Sequence, residues 1–221
     1  MKTVATSWRD NSLTYTWLKR RVELDESKDV RSEAVRQIAT GWKQEPGILE
    51  LLKQRVVSDV SEDVRIEAVR QIATGWKQES GILELLKQWV ESDDSWEVRC
   101  ETVRQIASGW KQEPGILALL KQRVVSDESE DVRSEAVRQI ASGWKQEPGI
   151  LELLKQRVVS DESDRVRAVA VRQIASGWKQ EPGILDLLKQ WVVSDESWEV
   201  RREIVRPVSY THLTLPTKVT V

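Results

Sequence analysis

Few residues in this 221-residue chain could do covalent or metal chemistry. There is one histidine, His212, and one cysteine, Cys100. Zinc needs a cluster of Cys and His ligands, and single residues do not supply one. The turn at Ser126-Asp127-Glu128-Ser129-Glu130-Asp131 is rich in oxygens, but it lacks the glycine and the length of a calcium loop. No glycine-rich phosphate loop is present, and the repeated Gly-Trp-Lys triplets read as helix ends. What remains is ion pairing. Asp25 stands six residues before Arg31, and the spacing recurs at Asp59–Arg65, Asp93–Arg99, Asp127–Arg133, Asp161–Arg167 and Asp195–Arg201. Each Asp is read as accepting backbone N–H groups in a turn. It is also read as bonding an arginine of its own or an adjacent unit, whose planar fork can bridge a carboxylate and turn carbonyls. The competing reading is a ladder of arginines for phosphate, but the acids already claim the guanidinium groups. Catalytic, cofactor and metal residues are therefore expected to be none.

The elements that position these pairs repeat. Trp42, Trp76, Trp110, Trp144 and Trp178 fall every 34 residues, with Trp8 one period upstream. A fixed period of this size marks a stacked array. In each period Val64, Ala68, Val69, Ile72 and Ala73 share one stripe of a 3.6-residue helix, with Arg65, Glu67, Arg70 and Gln71 off it or at its rim. Gly75 suits the left-handed position after a helix, and Trp76 closes the end of the unit's core. Pro46, Pro114, Pro148 and Pro182 are read as the first turn of a second helix. Its buried stripe is Ile48, Leu49, Leu52 and Val56, with Leu51 broadening it. The Ser-Asp-Glu-Ser segment offers capping oxygens to the next helix. Neither helix can bury its stripe alone, so neighbouring pairs must stack. Helices are expected near 30–41, 46–57, 63–74, 80–91, 97–108, 114–125, 131–142, 148–159, 165–176, 182–193 and 199–206.

Where the copies differ, partner-binding residues can be sought. Arg55, Arg123 and Arg157 alternate with Trp89 and Trp191, and Glu62, Glu130 and Asp164 with Trp96 and Trp198. Trp89 travels with Trp96, and Trp191 with Trp198, which suggests duplication of a three-unit block. Each pair reads either as local packing on a turn or as an aromatic anchor for a partner. Lys53, Lys87, Lys121, Lys155 and Lys189 form an outward row on the second helices, beside a glutamine row. A third row is Glu50, Glu84, Ala118, Glu152 and Asp186, three residues ahead and within reach along a helix. These rows read as solvated pairs or as a mixed-charge peptide groove.

Composition sets outer limits. With 34 basic and 36 acidic residues, the formal charge of -2 disfavours a general polyanion binder. Cys100 stands where other units carry Ser32, Ile66, Ser134 or Ala168, and reads as a semi-buried filler. No apolar run reaches membrane-spanning length and no secretory leader is visible, so a cytoplasmic location is expected. Residues 1–29 form a worn first unit, a cap or a truncated repeat. Residues 30–206 hold five units and the start of a sixth. At Pro207 the repeat is lost, and proline is expected to end the last helix near Arg206. The segment Pro-Val-Ser-Tyr-Thr-His-Leu-Thr-Leu-Pro-Thr at 207–217 resembles a translated sequencing-library adapter. On that resemblance residues 207–221, with His212 and Tyr210, are expected to be a non-native or disordered tail.

The pattern D-x5-R with Val before the Arg, together with A-V-R-Q-I-A-S-G-W-K-Q-E-P-G-I-L-E-L-L-K, resembles HEAT repeats of the bacterial, often cyanobacterial, type. The tetratricopeptide pattern is missing, and 34 residues cannot hold the third helix of an armadillo repeat. The resemblance implies an all-α, right-handed α-α superhelix whose second helices line the concave face. It also implies a protein- or peptide-binding scaffold, since some such arrays follow NACHT-related signalling NTPase domains. A nucleic-acid-binding solenoid and a lyase-like repeat protein are the alternatives, the latter because a few HEAT-like families are chromophore lyases. In any of these Trp42, Trp76, Trp110, Trp144 and Trp178 should be structural. Trp110→Ala should cost about 3–5 kcal/mol in denaturant unfolding, and a loss under about 1 kcal/mol would show an exposed ring.

Overall fold

The structure, a computed structural model, describes the backbone of residues 12–211 and the side chains of residues 13–206. Trp8 and His212 lie outside the described residues, as does the side chain of Tyr210. Among the described residues all regular structure is helical. In chain order the helices are α1 (Ser12–Leu24), α2 (Lys28–Gly41), α3 (Ile48–Ser58), α4 (Glu62–Gly75), α5 (Ile82–Ser92), α6 (Trp96–Gly109), α7 (Ile116–Ser126), α8 (Glu130–Gly143), α9 (Ile150–Ser160), α10 (Asp164–Gly177), α11 (Ile184–Ser194) and α12 (Trp198–Thr211). The contacts divide the chain into two compact units, Met1–Ile116 and Leu117–Val221.

In the first unit α2 packs against α4, and α4 against α6, so the first helices of successive repeats lie side by side. The second helices α3 and α5 rest on α4 and α6. The stripe that makes this possible is Val64, Ala68, Val69, Ile72 and Ala73, all within 3% of complete burial. Alternating Ala with Val and Ile lets the helices approach closely while filling the space between them. In the second unit α8 packs on α10, and α10 on α12, with α9 and α11 completing the pairs. The stripe of α3 is Ile48, Leu51, Leu52 and Val56, while Leu49 is only half-buried. The tryptophans fall where the period places them, Trp76, Trp110, Trp144 and Trp178 each being 7% exposed. Trp42 is half-buried and faces Tyr15 at 6.3 Å between ring centroids. A lysine from the preceding repeat lies over several of these rings: Lys43 over Trp76 at 5.7 Å, Lys77 over Trp110 at 5.8 Å and Lys145 over Trp178 at 5.7 Å.

Four local expectations are corrected. The left-handed glycine is Gly81 (φ +84°) and its equivalents, whereas Gly75 has no positive φ and is the last residue of α4. Gly81 serves as N-cap, so α5 starts at Ile82 and the prolines of the equivalent turns sit before the helix rather than in its first turn. The chain leaves the first helix through Trp76, whose N–H still bonds the Ile72 carbonyl at 2.9 Å, and only then turns. Capping also differs, because Ser95 and Ser163 cap with their own hydroxyls but Ser27, Ser61 and Ser129 do not. There the turn is held by the aspartate two residues earlier, as where Asp59 accepts the Ser61 N–H at 3.0 Å. Finally, α12 runs through Pro207 to Thr211. A proline removes one N–H and crowds the carbonyl four residues back, which strains a helix without having to end it.

The two glycines of a repeat should therefore respond in opposite directions. At Gly75 a Cβ would meet nothing within 4 Å, so Gly75→Ala should raise stability by about 0.5–1 kcal/mol. Gly81→Ala should lower it by about 1–2 kcal/mol through left-handed strain. Urea unfolding of the two variants checks both signs.

Candidate binding surfaces

The Asp–Arg pairing is a forward link between repeats. Arg31 donates from Nε and Nη2 to both carboxylate oxygens of Asp59, at 2.9 and 2.7 Å, 28 residues on. Its Nη1 donates to the carbonyls of Asp25 and Glu26, at 2.9 and 3.1 Å. Thus Asp25 gives Arg31 a carbonyl, while the Asp25 carboxylate bonds Arg21 at 3.0 Å. Arg133 holds Asp161 and Arg167 holds Asp195 by the same two-pronged contact. Burial opposes charge on Asp59, but the Arg31 bonds and the Ser61 N–H outweigh it and hold the carboxyl below its usual range. Asp93 is the exception. Burial pushes its carboxyl up, and Arg65 stands 3.4 Å away while its Nη2 donates to the exposed Asp94 at 2.9 Å. Trp89 also replaces the arginine that stands four residues before Asp59.

A second link is invisible in the helical wheel. Glu67, expected off the apolar stripe, is 2% exposed. Arg36 of the preceding repeat donates to it from Nε and Nη2 at 2.9 and 3.1 Å, and Gln71 adds a bond at 2.9 Å. Arg70 reaches Glu101 at 3.0 Å and Arg172 reaches Glu203 at 2.8 Å in the same way. Burial resists the charge on Glu67 and Glu101, but these partners lower both carboxyls. Hydrogen bonding from Arg172 lowers Glu203. These residues were missed because charges at a helix rim look solvated. The available signal was that Glu33, Glu67, Glu101, Glu135 and Glu203 hold one row.

The tryptophan pairs are split by the fold. Trp89 and Trp191 are 6% and 8% exposed, on the inner faces of α5 and α11. Trp96 and Trp198 are 42% and 59% exposed. No ring stacking joins Trp89 to Trp96 or Trp191 to Trp198 among the described residues. In the lysine row Lys53, Lys87, Lys155 and Lys189 pair with Glu50, Glu84, Glu152 and Asp186, at 2.7, 2.8, 2.7 and 3.1 Å. Lys121 has Ala118 at the same spacing. Among the described residues no group of three or more His, Cys, Asp or Glu could hold a metal, and Cys100 is buried.

A family model described as HEAT repeats matches residues 49–141, 83–175 and 151–209. The chain belongs to the HEAT repeat family. Its fold class is accordingly the all-α repeat solenoid that the 34-residue register implies. Among solved structures it is similar to the crystal structure of YibA from Escherichia coli, at 20% identity and a TM-score of 0.63, over 95% of this chain and 74% of that one. No curated protein matches the chain.

Comparing HEAT units one with another shows where the template breaks. Val169 stands in the row Glu33, Glu67, Glu101, Glu135 and Glu203, of which the last four are buried. Arg165 stands in the row Asp29, Asp63, Glu97, Asp131 and Glu199, and Arg202 in the row Ser32, Ile66, Cys100, Ser134 and Ala168.

Two aspartates in equivalent turns should titrate in opposite senses. Asp59, whose folded pKa is lowered, contributes stability that is full above the ordinary Asp pKa of about 3.9 and is lost as pH falls through its folded value. Asp93, whose folded pKa is raised, opposes folding once ionised, and that cost disappears as pH falls. Asp59→Asn should therefore destabilise by about 3–5 kcal/mol at pH 7, leaving Arg31 buried without its anion, and the loss should shrink in acid. Asp93→Asn should cost less than about 1 kcal/mol at pH 7, because Asn can keep the Ser95 bond. Denaturant titrations of both variants across pH check the contrast.

Proposed function

We propose that this HEAT array is a protein-binding scaffold, with Trp96 and Trp198 as exposed anchors for a protein partner. The observation that carries the reading is that these two large indole rings stay open to solvent, at 42% and 59%, while Trp76, Trp110, Trp144 and Trp178 at the ends of the first helices are buried. Exposed aromatics in a polar surround are the usual energetic centres of interfaces. The second-helix rows support peptide docking less strongly, because four of five lysines already hold an acid of their own helix. The same neutralisation weighs against nucleic acid, which needs a continuous basic stripe. No residue favours a lyase-like activity. We further propose that the array serves a larger signalling protein with a nucleotide-binding domain, a reading supported by the repeat type alone. Sequencing the genomic locus in the same frame tests it. No helix among the described residues is long and apolar enough to cross a membrane.

The anchors are tested by quantitative capture from a lysate of the source organism with the parent, W96A, W198A and the double variant. Capture should fall at least tenfold in the double variant while its melting temperature stays within a few degrees of the parent. Equal capture by all four proteins would remove both rings from the interface.

A further inference from the structure

The three broken rows converge on one place in the second unit. Arg138 of α8, Arg165 and Arg172 of α10 and Arg202 of α12 line a cleft of about 420 Å³, floored by Ala168 and Val169. Elsewhere in the array this position is closed by a glutamate. Arg36 reaches Glu67 by its Nε edge, Arg70 reaches Glu101, and Arg172 reaches Glu203. Arg138 has the same place in its helix, but the residue 31 positions on is Val169, which is 4% exposed. The bond that Arg138 keeps is from Nη1 to Glu135 of its own helix at 3.1 Å. Where a carboxylate fills the Nε and Nη2 edge of Arg36, the corresponding residue of this repeat is a valine, and Arg138 and Val169 both line the cleft.

The other changes favour a negative charge at the same spot. Arg165 replaces an acid and is held from one side by Asp131 and, at 3.9 Å, by Glu130. Arg202 replaces small or neutral residues and lies with its guanidinium over the Trp198 ring at 5.8 Å. The acids that face the cleft are Glu199 and Glu203, and Glu203 is already shared by Arg172 and Arg206. Relative to the repeat template, the cleft gains two arginines and loses two acids.

We propose that this cleft binds a carboxylate side chain from an acidic peptide segment of a protein partner, seated on the Nε–Nη2 edge of Arg138 in place of the glutamate that other repeats supply from within. A planar carboxylate matches the guanidinium fork in two bonds. Ala168 and Val169 give its methylene stem an apolar bed, and Arg165 and Arg202 attract neighbouring acids. The chain as a whole is slightly acidic, so the attraction is local rather than general. This proposal rests on the scaffold reading for the existence of a partner, but it uses different residues from the Trp96 anchor.

The test is fluorescence anisotropy with a labelled peptide of sequence Gly-Ser-Glu-Glu-Asp-Gly and the full chain, at about 50 mM salt, where screening is weak. The parent should bind saturably with one site. Val169→Glu should weaken binding at least tenfold, because it restores the internal carboxylate. Its melting temperature should equal or exceed the parent's, since Glu67, Glu101 and Glu135 occupy equivalent positions in folded repeats. Val60→Glu makes the same charge change at a site 92% exposed and should leave binding unchanged. Should Val169→Glu fail to fold, Arg138→Lys keeps the charge, loses the fork, and should also weaken binding. Equal binding by Val169→Glu or, if that variant is unfolded, by Arg138→Lys overturns the proposal. So does equal weakening by Val60→Glu, or binding of inorganic phosphate without the peptide. Absence of peptide binding beside capture that W96A abolishes overturns the cleft and leaves the scaffold standing.

Discussion

An amphipathic helix pair of 34 residues has more apolar surface than it can cover by itself, and every other feature of this protein follows from that shortage. The first helices resolve it by lying flank to flank, Val and Ile filling the space and Ala setting the distance. Polar links can then be laid across the seams. Because they are laid between repeats, each carries the register of one unit on the next rather than the fold of a single unit.

Those links come in two kinds with different settings. The Arg31–Asp59 fork sits at the loop end, with both side chains almost withdrawn from solvent. The Arg36–Glu67 fork crosses the seam between first helices, and its arginine remains 42% exposed while its acid is buried. The first penalises any loss of a partner heavily, since the survivor stays buried. The second leaves its arginine within reach of other anions when the acid is missing. This difference in exposure separates Asp59, a part of the framework, from Val169, where the framework has been opened.

Much of this was legible in the residues, and what was not has identifiable causes. The period, the two stripes and the burial of Trp110 follow from spacing, and the family from the resemblance that the repeat motif carries. The partner of Arg31 does not, because a repeated Asp is offered both six residues behind and 28 ahead, and only the fold decides between them. Two glycines per repeat are equally able to turn left-handed. The chain uses Gly81 because the connection folds after Trp76 rather than before it. Trp89 and Trp96 look alike in sequence, yet one points into its unit and the other out of it. Glu67 was hidden by its charge, since a buried glutamate is readable only together with the arginine that neutralises it one repeat earlier.

The forward reach of the arginines gives each repeat a direction. A unit offers a guanidinium at its leading side and a carboxylate at its trailing side, and the two ends are never alike. Whole copies can therefore be spliced in or out at the level of the gene, and a new seam still sets an arginine of the Arg31 row against an aspartate of the Asp59 row. Slippage by a fraction of a period would leave a buried charge stranded, which is strongly destabilising. Exchange of whole units is the change of length that keeps these links. The recurrence of the Trp89 and Trp96 types at Trp191 and Trp198, three periods later, is the trace that such an exchange would leave.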